Sequence, residues 1–301
     1  MLTPKKLNIG DKVMIVAPAR RVRKYDISAG VQILEHWGLN VLFSENLFGE
    51  DNQYSAVDEL RARDLQEAID NPDIKAIFCA RGGYGSIRIV DRIDFSPLLA
   101  NPKWLVGFSD VTVLHSVLSM LGIKSLHAPV VATLAYSTDS SVKMLHDVLF
   151  NDASCKISSL SDNAVANNRV GCASGVVVGG NLSILYSLLG SNCDVDTNDR
   201  ILFIEDLDEY LYHIDRMMIS LRRAGKLSRL KALMVGSFSQ IHDNAIPFGK
   251  NVQEIILDAV GDFSYPVCFN MPFGHANSNM PLILLNNIEL CVENQSATCS
   301  W

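Results

Sequence analysis

The chain of 301 residues lacks the features that mark several specialised classes of protein. It has no Cys-x-x-Cys pair, no His-Glu-x-x-His segment and no other cluster with metal-ligand spacing, so we predict neither a metal nor another cofactor. Its net charge is −7 and no basic stripe is present, which argues against nucleic acid as a partner. No apolar run approaches the ~18 residues that would cross a membrane.

The cysteines show no paired spacing, and the sequence shows no export signal. A signal peptide would require an apolar segment after Lys5 and Lys6, and no such segment is present. Together with the odd number of seven cysteines, this predicts a cytoplasmic protein with reduced thiols. The cysteines are Cys79, Cys155, Cys172, Cys193, Cys268, Cys291 and Cys299.

Short apolar runs alternate with amphipathic segments in the first half of the chain, which predicts an α/β fold with a parallel sheet. The basic cluster Arg20 to Lys24 follows the first of these runs, and we interpret it as a solvated loop. The predicted strands are 12–18, 40–44, 74–80 and 104–108, and the predicted helices are 26–37 and 56–69.

Polar residues dominate 151–168, and this change of composition predicts a boundary between two domains, 1–155 and 169–301. The second half is α+β. We expect a final hairpin over 282–293 that turns at Asn286-Asn287, and a mobile tail after Glu293. The other predicted strands are 175–179, 201–204, 232–238 and 266–271, with a helix over 210–224.

Gly107-Phe108-Ser109-Asp110 joins a buried strand to a predicted helix, which makes Ser109 a candidate nucleophile. A serine on such a turn projects its hydroxyl from the sheet, and the free N–H groups at the start of the helix could stabilise an oxyanion. The alternative is that Ser109 only caps the helix, which is a common role for serine in this position.

A base and an acid follow Ser109 in the order Ser…Glu…His. His275 lies on a glycine-flanked loop after a strand, where it is either the base or part of a surface turn. Glu205 directly follows the apolar residues 201–204, at a strand end where it could orient an imidazole. The carboxylates Asp206, Asp208 and Glu209 could be an acidic cap of the next helix.

The loop Arg81-Gly82-Gly83-Tyr84-Gly85 also follows a buried strand. It matches no nucleotide-binding motif, and its glycines allow the backbone to approach a substrate closely. We expect it to donate a backbone N–H to an oxyanion, and we regard Arg81 and Tyr84 as candidate substrate contacts.

The chain resembles the serine LD-carboxypeptidases, the muramoyltetrapeptide carboxypeptidases of bacterial cell-wall recycling, which have microcin-immunity peptidases as relatives. The matching segments include 10–13, 17–18, 80–86, 107–112, 179–182, 204–206, 214–217, 272–275 and 279–282. Phe108 and Ala80 stand where tyrosine and threonine are common in that family.

The resemblance implies a flavodoxin-like first domain, related to class I amidotransferase domains, and a swivelling β/β/α second domain. It implies Ser109 as nucleophile, His275 as base and Glu205 as the residue that orients it. It also implies a backbone oxyanion hole from Asp110, Gly82 and Gly83, and a homodimer.

We therefore predict a cytoplasmic serine carboxypeptidase that releases terminal D-alanine from peptidoglycan tetrapeptides. The alternatives are a microcin-immunity peptidase that cleaves a peptide–nucleotide conjugate, a serine esterase, and a non-catalytic binding protein. The motif Gly-Phe-Ser-Asp-Val lacks the second glycine of the Gly-x-Ser-x-Gly esterase motif.

Overall fold

The computed structural model describes residues 1–152, 154–160 and 167–301. These residues form two compact units, one made of 1–152 and 277–285 and the other of 154–160, 167–276 and 286–301. The sequence predicts two continuous domains, whereas the segment 277–285 belongs with the first unit. Residue 153 and residues 161–166, within the predicted boundary segment, lie outside the described residues.

Most of the strands and helices follow the apolar patterns of the sequence, but the strand predicted over 266–271 is reduced to two residues. The strands are β1 Lys12–Val16, β2 Asn40–Phe43, β3 Ile74–Cys79, β4 Trp104–Gly107, β5 Ser125–His127, β6 Lys156–Ser158, β7 Gly171–Asn181, β8 Ile201–Leu207, β9 Ala232–Ser239, β10 Val267–Cys268, β11 Leu282–Leu284, β12 Asn287–Val292 and β13 Ala297–Ser300. The helices are α1 Lys24–His36, α2 Asp58–Asp70, α3 Ser86–Ile89, α4 Pro97–Ala100, α5 Thr112–Met120, α6 Val131–Leu134, α7 Asp139–Phe150, α8 Leu182–Ser187, α9 Leu211–Arg223 and α10 Val252–Ala259, with 3-10 turns at Val90–Arg92 and Ser109–Val111.

The first unit contains a six-stranded sheet in the order β11-β5-β4-β3-β1-β2. Strands β2, β1, β3, β4 and β5 are parallel, and β11 pairs antiparallel with β5. This is the doubly wound, flavodoxin-like order. Every residue of β4 is buried, as expected for a strand covered on both faces. In such sheets functional groups gather at the carboxyl ends of the strands.

The second unit contains a seven-stranded sheet in the order β10-β9-β8-β7-β12-β13-β6. Strands β7 to β10 are parallel, while β12, β13 and β6 are joined by antiparallel pairing. Gly179 allows β7 to approach β8, because a Cβ there would lie 1.9 Å from the carbonyl oxygen of Phe203. The predicted α/β fold, with a parallel sheet and a second sheet, is confirmed.

Two predictions for the C-terminal region are wrong. The residues 282–293 do not form a hairpin, because β11 pairs with β5 in the first sheet and β12 pairs with β7 in the second. The tail after Glu293 is ordered as β13, which pairs with both β12 and β6. Alternation of apolar residues identifies these strands but does not specify their partners.

The prediction of seven reduced thiols is also wrong, because Cys172 and Cys291 form a disulfide. They lie directly opposite each other on β7 and β12, with their Cα atoms 4.2 Å apart. Their separation of 119 residues hides this register from sequence analysis. The other five cysteines are buried and lie outside this disulfide.

No helix in the described part of the chain is both long enough and apolar enough to cross a membrane.

Candidate active site

Ser109 occupies a strained turn at the carboxyl end of β4. It begins the 3-10 turn Ser109–Val111, is partly exposed, and has a φ of 64°. A residue other than glycine in this left-handed region costs about 1–3 kcal/mol, and such strain is concentrated at functional sites. Phe108 is the N-cap of this turn and Val111 is the N-cap of α5, and neither side chain makes a capping hydrogen bond. The helix-cap interpretation of Ser109 is therefore wrong.

Asp110 fixes the nucleophile turn to the start of α3. Its side chain is 1% exposed, and its Oδ2 accepts the backbone N–H of Ser86 at 2.8 Å. Burial raises the pKa of the Asp110 carboxyl, and hydrogen bonds from Ser86 offset part of this effect. The carboxylate therefore positions the two loops, while its backbone N–H remains a candidate oxyanion donor.

Gly82 lies directly against Ser109. A Cβ at Gly82 would stand 3.0 Å from Ser109 Cβ and 3.2 Å from Ser109 Oγ. Gly83 has a φ of 110°, a conformation that favours glycine. The first unit thus brings the glycine loop to the candidate nucleophile, with Arg81 and Tyr84 exposed on the same loop.

Arg61 supports this loop through buried hydrogen bonds, and the sequence analysis did not identify it. It is 1% exposed, and its guanidinium donates to the carbonyl oxygens of Pro18 and Gly85 and to the carboxylate of Asp58. Arg61 therefore ties the loop after β1 to the loop after β3. Its position four residues before the buried Leu65 puts it on the apolar stripe of α2, which is the signal that could have identified it.

In the second unit, Glu205 and His275 form a buried hydrogen-bonded pair. Glu205 lies near the carboxyl end of β8 with a fully buried side chain, and the His275 side chain is 14% exposed. His275 Nδ1–H donates to Glu205 Oε2 at 2.7 Å. In this tautomer Nε2 carries the lone pair, which is the arrangement that a general base requires.

The charge of Glu205 controls the protonation of His275. Burial alone would lower the pKa of the imidazole, but the charge and hydrogen bond of Glu205, with a contribution from the charge of Asp206, raise it overall. His275 therefore holds its proton more strongly than a free imidazole, so it is a stronger base.

The backbone around this pair leaves no space for additional atoms. Gly274 has a φ of 102°, and a Cβ there would lie 2.5 Å from Glu205 Oε2. A Cβ at Gly236 on β9 would lie 2.5 Å from the carbonyl oxygen of Phe273. Ser239 Oγ–H donates to the carbonyl oxygen of His275 at 3.1 Å. Close packing against β8 and β9 thus fixes the loop that carries His275.

Asp206 is a buried neighbour of this pair and not a surface helix cap. Its carboxylate, 2% exposed, accepts bonds from Asn181 Nδ2–H and from the backbone N–H of Ser183, both at 2.9 Å. Burial, followed by the charge of Glu205, raises the pKa of Asp206 to about 7. Asp206 thus holds the start of α8 against β8.

The remaining two carboxylates pair with histidine side chains and not with the free N–H groups of α9. Asp208 Oδ1 accepts from His242 Nε2–H at 2.7 Å, and Glu209 pairs with His213. The first turn of α9 contains no acidic residue, so the acidic-cap interpretation of this group is wrong. Among the described residues, no group of three or more histidines, cysteines and carboxylates could hold a metal ion.

Comparison with known proteins identifies the family. The profile of the LD-carboxypeptidase N-terminal domain matches residues 13–128, and that of the LD-carboxypeptidase C-terminal domain matches residues 174–290. The chain belongs to the LD-carboxypeptidase family. It is accordingly a serine-type carboxypeptidase, and the family resemblance stated from the sequence is confirmed.

Relatives align with this LD-carboxypeptidase over nearly its full length. A putative carboxypeptidase of Synechocystis is 35% identical over 290 residues, covering 96% of this chain and 94% of the relative. A probable murein peptide carboxypeptidase of Bacillus subtilis is 32% identical over 288 residues, covering 92% and 88%.

Solved structures share its architecture. The crystal structure of muramoyltetrapeptide carboxypeptidase from Oxalobacter formigenes has a TM-score of 0.85 and 26% identity, covering 96% of this chain and 98% of the other. A microcin C7 self-immunity protein has a TM-score of 0.88, covering 100% and 99%, but at 20% identity this likeness shows the fold alone.

Proposed function

We propose that this LD-carboxypeptidase releases the terminal D-alanine from murein tetrapeptides with a triad of Ser109, His275 and Glu205. The hydrogen bond between the buried Glu205 carboxylate and His275 Nδ1 carries this proposal. The names of the Bacillus and Oxalobacter proteins support a murein peptide as substrate.

In the proposed reaction, His275 Nε2 takes the hydroxyl proton of Ser109 while Ser109 Oγ attacks the carbonyl carbon before the terminal residue. The carbonyl π electrons move to oxygen and form a tetrahedral oxyanion. His275 then gives its proton to the leaving amine as the C–N bond breaks. A water molecule, deprotonated by His275, finally hydrolyses the acyl-enzyme and restores Ser109.

Glu205 has two roles in this scheme. It holds the Nδ1–H tautomer of His275, so that the lone pair of Nε2 is available to the serine. Its negative charge also stabilises the imidazolium that forms during attack, which agrees with the raised pKa of His275.

Backbone donors are proposed to hold the oxyanion. The N–H of Asp110 follows the nucleophile directly, and the Gly82–Gly83 segment lies against Ser109. Each such N–H donor stabilises the negative charge that develops on the oxygen. This stabilisation typically raises the reaction rate by about 10²–10³-fold per donor.

The test is release of D-alanine from a defined tetrapeptide, followed by mass spectrometry. The matched control is the same peptide with L-alanine at its C-terminus. We expect D-alanine and the tripeptide as products, with no cleavage of the L-isomer. Failure to cleave the tetrapeptide, combined with turnover of simple esters or of a peptide–nucleotide conjugate, would contradict the proposed substrate.

A further inference from the structure

We propose that Arg20 binds the C-terminal carboxylate of the substrate and thereby restricts the enzyme to carboxypeptidase activity. This inference rests on the proposed function, because it names the group that would recognise the free chain end. It also revises the interpretation of Arg20 to Lys24 as merely a solvated loop.

Arg20 is an exposed guanidinium without an ionic partner among the described residues. Arg21 differs in this respect because it pairs with Glu50, and Arg88 differs because it pairs with Asp58. Arg81 on the glycine loop also has no ion pair among the described residues, so it is the alternative that the experiment must test. A guanidinium matches the planar geometry of a carboxylate and can bind it through two parallel hydrogen bonds. An arginine that no protein carboxylate neutralises is therefore available to a carboxylate on a ligand.

The side chain of Arg20 lies across the glycine loop beside the candidate nucleophile. A Cβ at Gly83 would lie 2.6 Å from Arg20 Cδ and 3.0 Å from Arg20 Nε, while Gly82 contacts Ser109. Because adjacent Cα atoms are about 3.8 Å apart, these contacts put Arg20 Nε no more than about 13 Å from Ser109 Oγ.

A separation within this upper bound can accommodate the substrate of a carboxypeptidase. The terminal carboxylate of a substrate lies one residue, about 3.8 Å, beyond the carbonyl that Ser109 would attack. The guanidinium extends past Nε and can cover the remaining distance. An arginine in this position would select peptides that end one residue after the scissile bond.

The loop that carries Arg20 is rigidly supported. Ser55 Oγ–H donates to the carbonyl oxygen of Ala17 at 3.1 Å, and Arg61 donates to that of Pro18. The backbone of Arg20 itself forms a bridge with Tyr54. Because its backbone is fixed, Arg20 loses less conformational freedom on binding, which favours recognition of a ligand.

The experiment compares a tetrapeptide that ends in D-alanine with the same peptide ending in D-alanine amide. Both are assayed with the wild type, Arg20→Gln, Arg81→Gln and the matched control Arg21→Gln. We expect the wild type to prefer the free acid. Arg20→Gln should lower kcat/KM for the acid by about 10- to 100-fold, mainly through KM, and leave kcat/KM for the amide unchanged. Arg21→Gln should behave as the wild type.

A second readout separates this inference from the proposed function. A fluorophosphonate needs Ser109 but no substrate carboxylate, so Arg20→Gln should be labelled at the wild-type rate. N-acetyl-D-alanine should slow labelling of the wild type but not of Arg20→Gln, and this comparison remains decisive even if the tetrapeptide is not cleaved. Equal protection of both proteins, or loss of acid preference in Arg81→Gln but not in Arg20→Gln, would overturn the assignment.

Discussion

Ser109 follows β4, and Glu205 lies near the carboxyl end of β8, so the two candidate groups occupy equivalent places in their own sheets. Their surroundings differ. Ser109 is partly exposed on a left-handed turn, whereas Glu205 and His275 are held by burial and by an ionic hydrogen bond. A strained backbone conformation exposes the hydroxyl of Ser109, whereas burial away from water strengthens the interaction between Glu205 and His275.

This difference separates the effects of mutation in the two units. Changes at Ser109 remove a partly exposed hydroxyl and should leave packing intact. Changes around Glu205 alter a buried charge and should affect stability, protonation and activity together.

Ser109→Ala should lower kcat by up to about 10⁶-fold, because no other group replaces the nucleophile. The thermal unfolding temperature should change little, since the lost hydroxyl is partly exposed. Ser119→Ala, on α5 and also partly exposed, is the matched control. Turnover by Ser109→Ala within about tenfold of the wild type would remove Ser109 from the mechanism.

Glu205→Gln should lower kcat by about 10²- to 10⁴-fold, with a smaller change in KM, because glutamine can favour the wrong tautomer of His275. Asp208→Asn is the control, since that carboxylate also belongs to the acidic segment 205–209 but pairs with His242. Steady-state kinetics of both variants provide the test. Equal losses in both would show that the choice of carboxylate is wrong.

Gly82→Ala should lower kcat about 10²-fold, because the added methyl group would stand 3.2 Å from Ser109 Oγ and displace the reacting atoms. Gly261→Ala is the control, because the nearest atoms to its Cβ would be 3.5 Å away. Kinetics and thermal unfolding should be measured together. Normal activity in Gly82→Ala would show that the loop tolerates displacement and does not position the oxyanion.

The smallest effect concerns pH. Because Glu205 and Asp206 raise the pKa of His275, the kcat/KM of the wild type should fall as pH decreases through a value above 6.5. In Glu205→Gln the charge of Glu205 is lost while burial remains, so this acid limb should move to lower pH. An unchanged acid limb in the variant would mean that another group titrates.

Much of the fold follows from local sequence. Apolar runs such as Ile74–Cys79 predict buried strands, and their alternation with helical segments predicts the parallel sheet. Contacts between distant segments do not follow from it. The separate partners of β11 and β12 replace the expected hairpin, and the register between β7 and β12 creates the Cys172–Cys291 disulfide.

The residues of the candidate site are likewise predictable only where local sequence marks them. Turn position marks Ser109, and a strand end marks Glu205, so both are visible in the sequence. Glu205 and His275 are 70 residues apart in the sequence, so only the folded structure shows that their side chains are hydrogen-bonded. Arg61 was missed and Asp206 was assigned to a helix cap because charged residues are normally exposed. Only tertiary packing shows that these two are buried and bonded.

The most direct test of the account is whether reactivity of Ser109 depends on His275, because these residues belong to different compact units. The measurement is the rate of fluorophosphonate labelling in the wild type and in His275→Ala, with the modified residue mapped by mass spectrometry. We predict a single adduct on Ser109 and a rate at least about 10²-fold lower in His275→Ala. An adduct on another residue, or equal rates in the two proteins, would contradict the proposed triad.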